Sequence, residues 1–199
     1  LVGSEMCIRD RGGMIKRCAW SEELPIYRDY HDNEWGKPQF DEQKLFEKLC
    51  LEGQQAGLSW ITILKKRENY RNVFFQFDPE KVAQMTTEDI DQCMQNPGLI
   101  RYRAKLEAIV KNAQAFLAMK KCGENFSDFI WSFVNHQPQM NDVPELSVVP
   151  AQTPTSLEMS KALKKRGFVF VGPTTCYAFM QSMGLVNDHW NQCHCKSPD

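Results

Sequence analysis

Apolar residues recur at helical spacing along nearly the whole chain, and only Phe168-Val169-Phe170-Val171 reads as a strand. A strand without a partner run cannot form a sheet, so this segment is expected to be a buried connector and the fold class all-α. Asp41 can cap a helix whose stripe is Leu45, Phe46, Leu49 and Cys50, running out near Gly53. A second helix starts at Ser59 and carries Trp60, Ile61, Ile63 and Leu64 toward Phe74, with Lys65, Lys66 and Arg67 on its exposed side. Asp78-Pro79 has the form of a cap followed by proline at the first helical position, and Thr86 with Asp89 has capping-box spacing. Asn96-Pro97-Gly98 then breaks the pattern before a long helix bearing Leu106, Ile109, Val110, Ala113, Phe116 and Leu117, so residues 87–119 read as helix, tight hairpin, helix. Phe126 to Val134 is a short aromatic segment and Pro138 to Pro154 a turn-rich loop. Ser156 begins another helix closed by Gly167, and a last one runs from around Pro173 to Gly184.

A chain of 199 residues with 42% hydrophobic and 25% charged residues has the composition of a folded globular unit. Its formal net charge of −1 excludes wholesale attraction to DNA or an anionic membrane, so any nucleic-acid contact must come from a local patch. No apolar run approaches the ~18 residues of a membrane span, and no signal peptide is recognisable, so a cytoplasmic protein with reduced thiols is expected. Residues 1–13 lack any apolar period and precede Met14; they are expected to be an extension outside the fold, leaving 14–199 as one unit, with nothing to suggest other than a monomer. Of the 8 cysteines, Cys50, Cys93, Cys122 and Cys176 are expected to be small buried hydrophobes, while Cys7 falls in the extension.

Three constellations could carry chemistry. Cys18, His31, His189 and Cys193 are zinc-ligand types, and the His189-x3-Cys193 spacing would put both side chains on one face of a helical turn. The Cys18–His31 spacing is not a standard one, so unpaired thiols beside a surface histidine remain the alternative, and His194 and Cys195 are rival ligands. The segment lacks H-E-x-x-H and the nucleobase-deaminase signature, which favours a closed structural site over a catalytic one. His136 is expected to be a hydrogen-bonded structural histidine. The second constellation is aromatic: Trp20, Tyr27, Tyr30, Trp35 and Trp60, with Glu52 in a stretch of acid, amides and glycines that is odd for a core. The third is the hairpin at Gly98, feeding a helix that opens with Arg101, Arg103 and Lys105, where backbone N–H groups and basic side chains could hold phosphate. Lys65-Lys66-Arg67 and Lys164-Lys165-Arg166 are further basic clusters.

The order and length of several stretches carry a family resemblance. They are Arg17-Cys18-Ala19-Trp20, Tyr30-His31-Asp32-Asn33-Glu34-Trp35-Gly36, Leu51-Glu52-Gly53-Gln54-Gln55-Ala56-Gly57-Leu58-Ser59-Trp60-Ile61-Thr62, Lys65-Lys66-Arg67-Glu68-Asn69-Tyr70, Trp131-Ser132-Phe133-Val134-Asn135-His136, Ser160-Lys161-Ala162-Leu163-Lys164-Lys165-Arg166-Gly167-Phe168 and Gly184-Leu185-Val186-Asn187-Asp188-His189. From Met14 onward the chain resembles the bacterial type I 3-methyladenine DNA glycosylases, a zinc-containing branch of the helix-hairpin-helix glycosylases. The resemblance implies hydrolysis of the N-glycosidic bond of 3-methyladenine in alkylated double-stranded DNA, with free base as product. It implies one structural zinc on Cys18, His31, His189 and Cys193, tethering the two ends of the chain. It also implies a base pocket of Glu52 and Tyr30, with Trp60 stacking on the purine and Trp20 and Tyr27 completing the walls, and a DNA-backbone anchor at the hairpin near Gly98 and Arg101.

The chemistry agrees. N3-methylation makes the adenine cationic while attached to deoxyribose, so it leaves readily and little acid catalysis is needed; the work lies in extruding the base and selecting it. A desolvated Glu52 among aromatic faces favours a cation, and Leu58, flanked by Gly57, is the candidate wedge for the gap left in the duplex. No lysine is nominated for Schiff-base chemistry; water attack on an oxocarbenium-like sugar, with Glu52 and the DNA phosphates lending electrostatic help, is the expected course. The competing readings are a zinc-stapled module that binds damaged DNA without cutting it, and a metal hydrolase.

Overall fold

The computed structural model describes residues 15–197, so the expectations for residues 1–13, Cys7 included, lie outside it. The described chain is mostly helical: α1 (Pro25–Asn33), α2 (Glu42–Gln54), α3 (Trp60–Val73), α4 (Pro79–Val82), α5 (Thr87–Cys93), α6 (Arg103–Lys121), α7 (Phe126–Ser132), α8 (Pro154–Lys165) and α9 (Pro173–Ser182). Helix α2 packs against α6 and α9, α4 against α6, and α8 against α9. Their apolar faces meet in one core built on Phe46, Phe74, Phe77, Phe116, Phe126 and Phe168.

Local signals set most boundaries. Asp41 accepts from Lys44 N at the start of α2, Asp78 from Glu80 N at α4, and Thr86 and Asp89 form the reciprocal capping box of α5. Helix α8 begins two residues before the expected Ser156, because Thr153 is the cap, Pro154 takes the first helical position and Ser156 completes a second capping box. Cys50, Cys93 and Cys176 are buried as expected, but Cys122 is exposed at the C-cap of α6, where the helix has left the core. His136 is exposed at φ 61°, and it is its backbone N–H that is held, by Trp131 O.

The all-α expectation needs one amendment. Gln139–Met140 (β1) and Val186–Asn187 (β2) pair in parallel, Gln139 opposite Val186 and Met140 opposite Asn187. Two-residue strands are too short to leave an alternating pattern in a sequence, and their pairing depends on α9 delivering Val186 beside the 138–154 loop. Phe168–Val171 is the expected connector: Phe168 and Val171 are buried, Phe170 has φ 57°, and the amide of Asn112 on α6 bonds both Val169 N (2.8 Å) and Val169 O (3.3 Å) where a partner strand would.

Gly184, which ends α9's descent toward β2, has φ 76°, and a Cβ there would fall inside van der Waals contact of Lys37 and Pro38 backbone atoms. Gly123 has φ 85° with open space around it. Gly184→Ala is therefore expected to destabilise by about 2–4 kcal/mol and Gly123→Ala by about 1 kcal/mol, read from urea unfolding; equal costs would mean the close approach of the 37–38 backbone contributes nothing.

Candidate functional site

A cavity of about 420 Å³ opens between the N-terminal segment and the body of the molecule, lined by Trp20, Tyr27, Tyr30, Trp35, Glu52 and Trp60. Each arrives from a different local structure. Trp20 lies in a 3-10 turn, Tyr27 and Tyr30 are one turn apart on α1, Glu52 is in the last turns of α2, and Trp60 is the first residue of α3. Trp20 meets Tyr27 at 4.9 Å and Trp35 at 5.1 Å, and Tyr30 meets Trp60 at 5.6 Å between ring centroids. The aromatic set and the acid singled out from the sequence are thus one wall and its carboxylate. Gln55, Gln181 and Asp188 add polar groups that sequence reasoning did not select. Trp60 Nε1 is buried with no hydrogen-bond partner among the described residues, a donor left free at the pocket residue expected to stack on the ligand.

Glu52 is 4% exposed, and burial pushes its carboxyl up to about 7, against the opposing pull of Lys48 and a hydrogen bond with Ser182. Lys48, one helical turn earlier, is pushed down to about 8 by burial, with Glu52 the chief influence in the other direction. Its Nζ donates to Tyr30 Oη at 2.8 Å and sits 4.5 Å from the ring centroids of both Tyr30 and Trp60. Sequence reading missed this lysine; the available signal was a Lys48/Glu52 pair at i, i+4 spacing amid Leu49, Cys50 and Leu51.

The residues expected to meet DNA lie apart from the pocket floor. Gly57 (φ 80°) and Leu58, 40% exposed, occupy the loop between α2 and α3. The turn between α5 and α6 packs Gly98 so closely against the Asn69 side chain that a Cβ would collide with it, and Gly98 N donates to Asn96 Oδ1 at 2.8 Å. Arg101 is exposed just beyond. In each of the three basic clusters some cations are held by other groups, while Arg101, Lys65, Lys164 and Lys165 stay exposed. Lys105 is buried, with Nζ bonded to Gln54 O and Ala56 O, and Arg103 pairs with Asp91. Arg67 makes a two-pronged bond to Glu34 (2.7 and 2.9 Å), and Arg166 does the same with Glu124. Acidic partners claim the three arginines and backbone carbonyls claim Lys105, pairings that a charge run cannot reveal.

Behind the aromatic wall, Cys18, His31, His189 and Cys193 bring four donor atoms within 4.8 Å of one another, all buried. The expected helical turn at 189–193 is absent: Cys193 N donates to Trp190 O, and Asn191 is pinned on Val143 through both its own N–H and its side chain. The side chains converge nonetheless. His189 Nδ1 is 3.5 Å from both sulfurs and His31 Nε2 is 3.4 Å from Cys193 Sγ. A tetrahedral zinc would separate sulfur and nitrogen donors by about 3.6 Å, given bonds of about 2.3 and 2.0–2.1 Å. Each histidine has its other nitrogen against an oxygen acceptor, His31 Nδ1 at Asp32 (2.7 Å) and His189 Nε2 at Trp35 O (3.0 Å), the arrangement that frees the facing nitrogen as a ligand. The rivals His194 and Cys195 sit one step outward: His194 bonds Asp32, which Arg17 also holds, and Cys195 lies beside His194.

The methyladenine glycosylase family model matches residues 20–196. The chain belongs to the methyladenine glycosylase family. It is 74% identical over 184 residues to DNA-3-methyladenine glycosylase of Haemophilus influenzae, covering 92% of this chain and 100% of that one. It is 60% identical to DNA-3-methyladenine glycosylase 1 of Escherichia coli, covering 91% and 97%. A crystal structure of a variant of 3-methyladenine DNA glycosylase I in complex with 3-methyladenine superposes with a TM-score of 0.88 at 44% identity, covering 91% of this chain and 97% of that one. Among the described residues, no helix of this family member is long and apolar enough to cross a membrane.

Because folding raises the Glu52 carboxyl from 4.5 to about 7, the folded state holds this proton more tightly than the unfolded chain. The associated stability is present below about pH 4.5 and lost as pH rises through 7. The stability of the parent chain relative to Glu52→Gln should therefore fall by roughly 2–3 kcal/mol between pH 4.5 and pH 8 in urea titrations. A pH-independent difference would mean Glu52 is not held in a desolvated pocket.

Proposed function

We infer that this chain hydrolyses the N-glycosidic bond of 3-methyladenine in alkylated DNA, releasing the free base. The observation that carries the reading is the buried Glu52 carboxyl facing a cavity walled by Trp20, Tyr27, Tyr30, Trp35 and Trp60, in a member of the methyladenine glycosylase family. An extruded N3-methylated adenine is planar and cationic. Aromatic faces stack on it, and a desolvated carboxylate accepts its N–H groups and prefers its charge to that of neutral adenine. Tyr30 Oη accepts from Lys48, which leaves its own proton free to donate. The alkylated base is already a good leaving group, so the site needs to bind and orient it while water attacks the sugar; Glu52 supplies selection and electrostatic support.

The finer features belong to the same proposal. The substrate is double-stranded DNA and the protein acts as a monomer in the cytoplasm. Residues 87–119 serve as the helix-hairpin-helix element that grips the backbone, through Gly98 and Arg101, while Leu58 beside Gly57 fills the gap left by the flipped nucleotide. Cys18, His31, His189 and Cys193 hold one structural zinc. The fit rests on the donor set described above, two thiols and two imidazoles whose outer nitrogens are already occupied. Bound there, zinc would cross-link the segment carrying Trp20, Tyr27 and Tyr30 to the C-terminal segment, with all four positions filled by protein and none left for water.

Two outcomes follow. Glu52→Gln should weaken 3-methyladenine binding by about 10–100-fold in titration calorimetry while its far-ultraviolet spectrum stays that of the parent; unchanged affinity would remove Glu52 from the site. Chelation of metal should abolish the cooperative melt and base release from methylated duplex together. Loss of release from a still-folded protein would instead indicate catalytic metal.

A further inference from the structure

Lys105 is a lysine in the first turn of α6 that the base pocket does not use, and it is 6% exposed. Burial lowers the pKa of its ammonium. Its Nζ instead donates to Gln54 O at 2.9 Å and Ala56 O at 2.6 Å, two carbonyls at and just past the end of α2. A cation there satisfies acceptors that the ending helix leaves open and faces the negative end of its dipole. The contact is reciprocated, since Gln54 Nε2 donates to Lys105 O at 2.8 Å. The other side of the Gln54 amide is tied to the turn between α5 and α6: Ile100 N donates to Tyr70 Oη (3.1 Å), and Tyr70 Oη donates to Gln54 Oε1 (3.0 Å).

The two structures joined by this network have separate jobs. The end of α2 carries Glu52 and runs directly into Gly57 and the exposed Leu58, while residues 96–101 form the turn expected on the DNA backbone. We propose that Lys105 is a positioning residue that locks the loop carrying Leu58 in register with the 96–101 turn, so that backbone grip and insertion occur on one rigid unit. The role rests on the glycosylase reading above. Free base needs only the pocket of Glu52, Tyr30 and Trp60; duplex DNA needs the pocket, the loop and the turn in fixed relation. A loop displaced by an ångström is enough to cost a large factor in rate.

The experiment compares the parent chain with Lys105→Met and Tyr70→Phe, which cut the network at opposite ends. Release of 3-methyladenine from methylated duplex is measured beside titration of free 3-methyladenine. Both variants are expected to lose about tenfold or more in release, with free-base affinity within about twofold of the parent. Combining Lys105→Met with Leu58→Ala should cost less than the sum of the single effects, because a mispositioned Leu58 has little left to lose. Unchanged release in both variants, or an equal loss of free-base affinity, overturns the role. If Lys105→Met fails to give a cooperative melt, Lys105→Gln takes its place under the same criteria, with Tyr70→Phe testing the other end of the network. A parent chain that releases no base refutes the glycosylase reading itself and is thereby distinguished from failure of the positioning role.

Discussion

The meeting of the two ends of the described chain at Cys18, His31, His189 and Cys193 is the constraint on which the pocket depends. His31 lies 5.2 Å from Trp20 and 4.8 Å from His189, and Trp35 packs its ring 4.7 Å from the same His189. The walls of the cavity thus pack edge-on against the imidazoles where the two ends meet. Trp20 sits in a three-residue turn and Tyr27 on a nine-residue helix, elements too short to hold their places alone. Their position is imposed from behind, by a junction between residues more than 150 apart in sequence.

A second constraint is electrostatic. Among the described residues few lysines and acids are buried: Glu52 and Lys48 on successive turns of α2, Lys105 against the end of the same helix, and Asp188 and Lys196 in the C-terminal segment. Keeping a carboxyl buried among aromatic rings raises its affinity for protons, and the same desolvation raises its affinity for a cationic base. Stability is given up at neutral pH for selectivity, and the large core around Phe46, Phe116 and Phe126 offsets it. The net charge of −1 accords with this division, because some cations near the expected DNA face are paired internally, Arg67 with Glu34 and Arg103 with Asp91.

Much of this was legible in the residues. Helical periodicity, Asp41, Asp78 and Thr86 as caps, and the Asn96-Pro97-Gly98 break marked α2 to α6, α8 and α9 nearly to their ends, because these signals act over three or four residues; α1 and α7, short and without such a pattern, were not read as helices. The lone strand-like run was readable as a connector for the same reason. The aromatic set and Glu52 were legible as an unusual composition. Gln181, Asp188 and Lys48 were not, because nothing local distinguishes a pocket residue from a core or surface one.

The amino-acid sequence by itself determined the helical class, most helix starts, the family and the residue types of the pocket and of the Cys/His cluster. Only the tertiary structure decided which of the competing residues face each other. It selected Cys193 over Cys195 beside His189, turned Lys105 inward and Arg67 onto Glu34, and created β1 and β2 where no alternating pattern existed. The physical reason is range: caps and periodicity are satisfied within a turn of backbone, whereas burial, ion pairing and the convergence of the Cys/His side chains depend on groups brought together from distant parts of the chain.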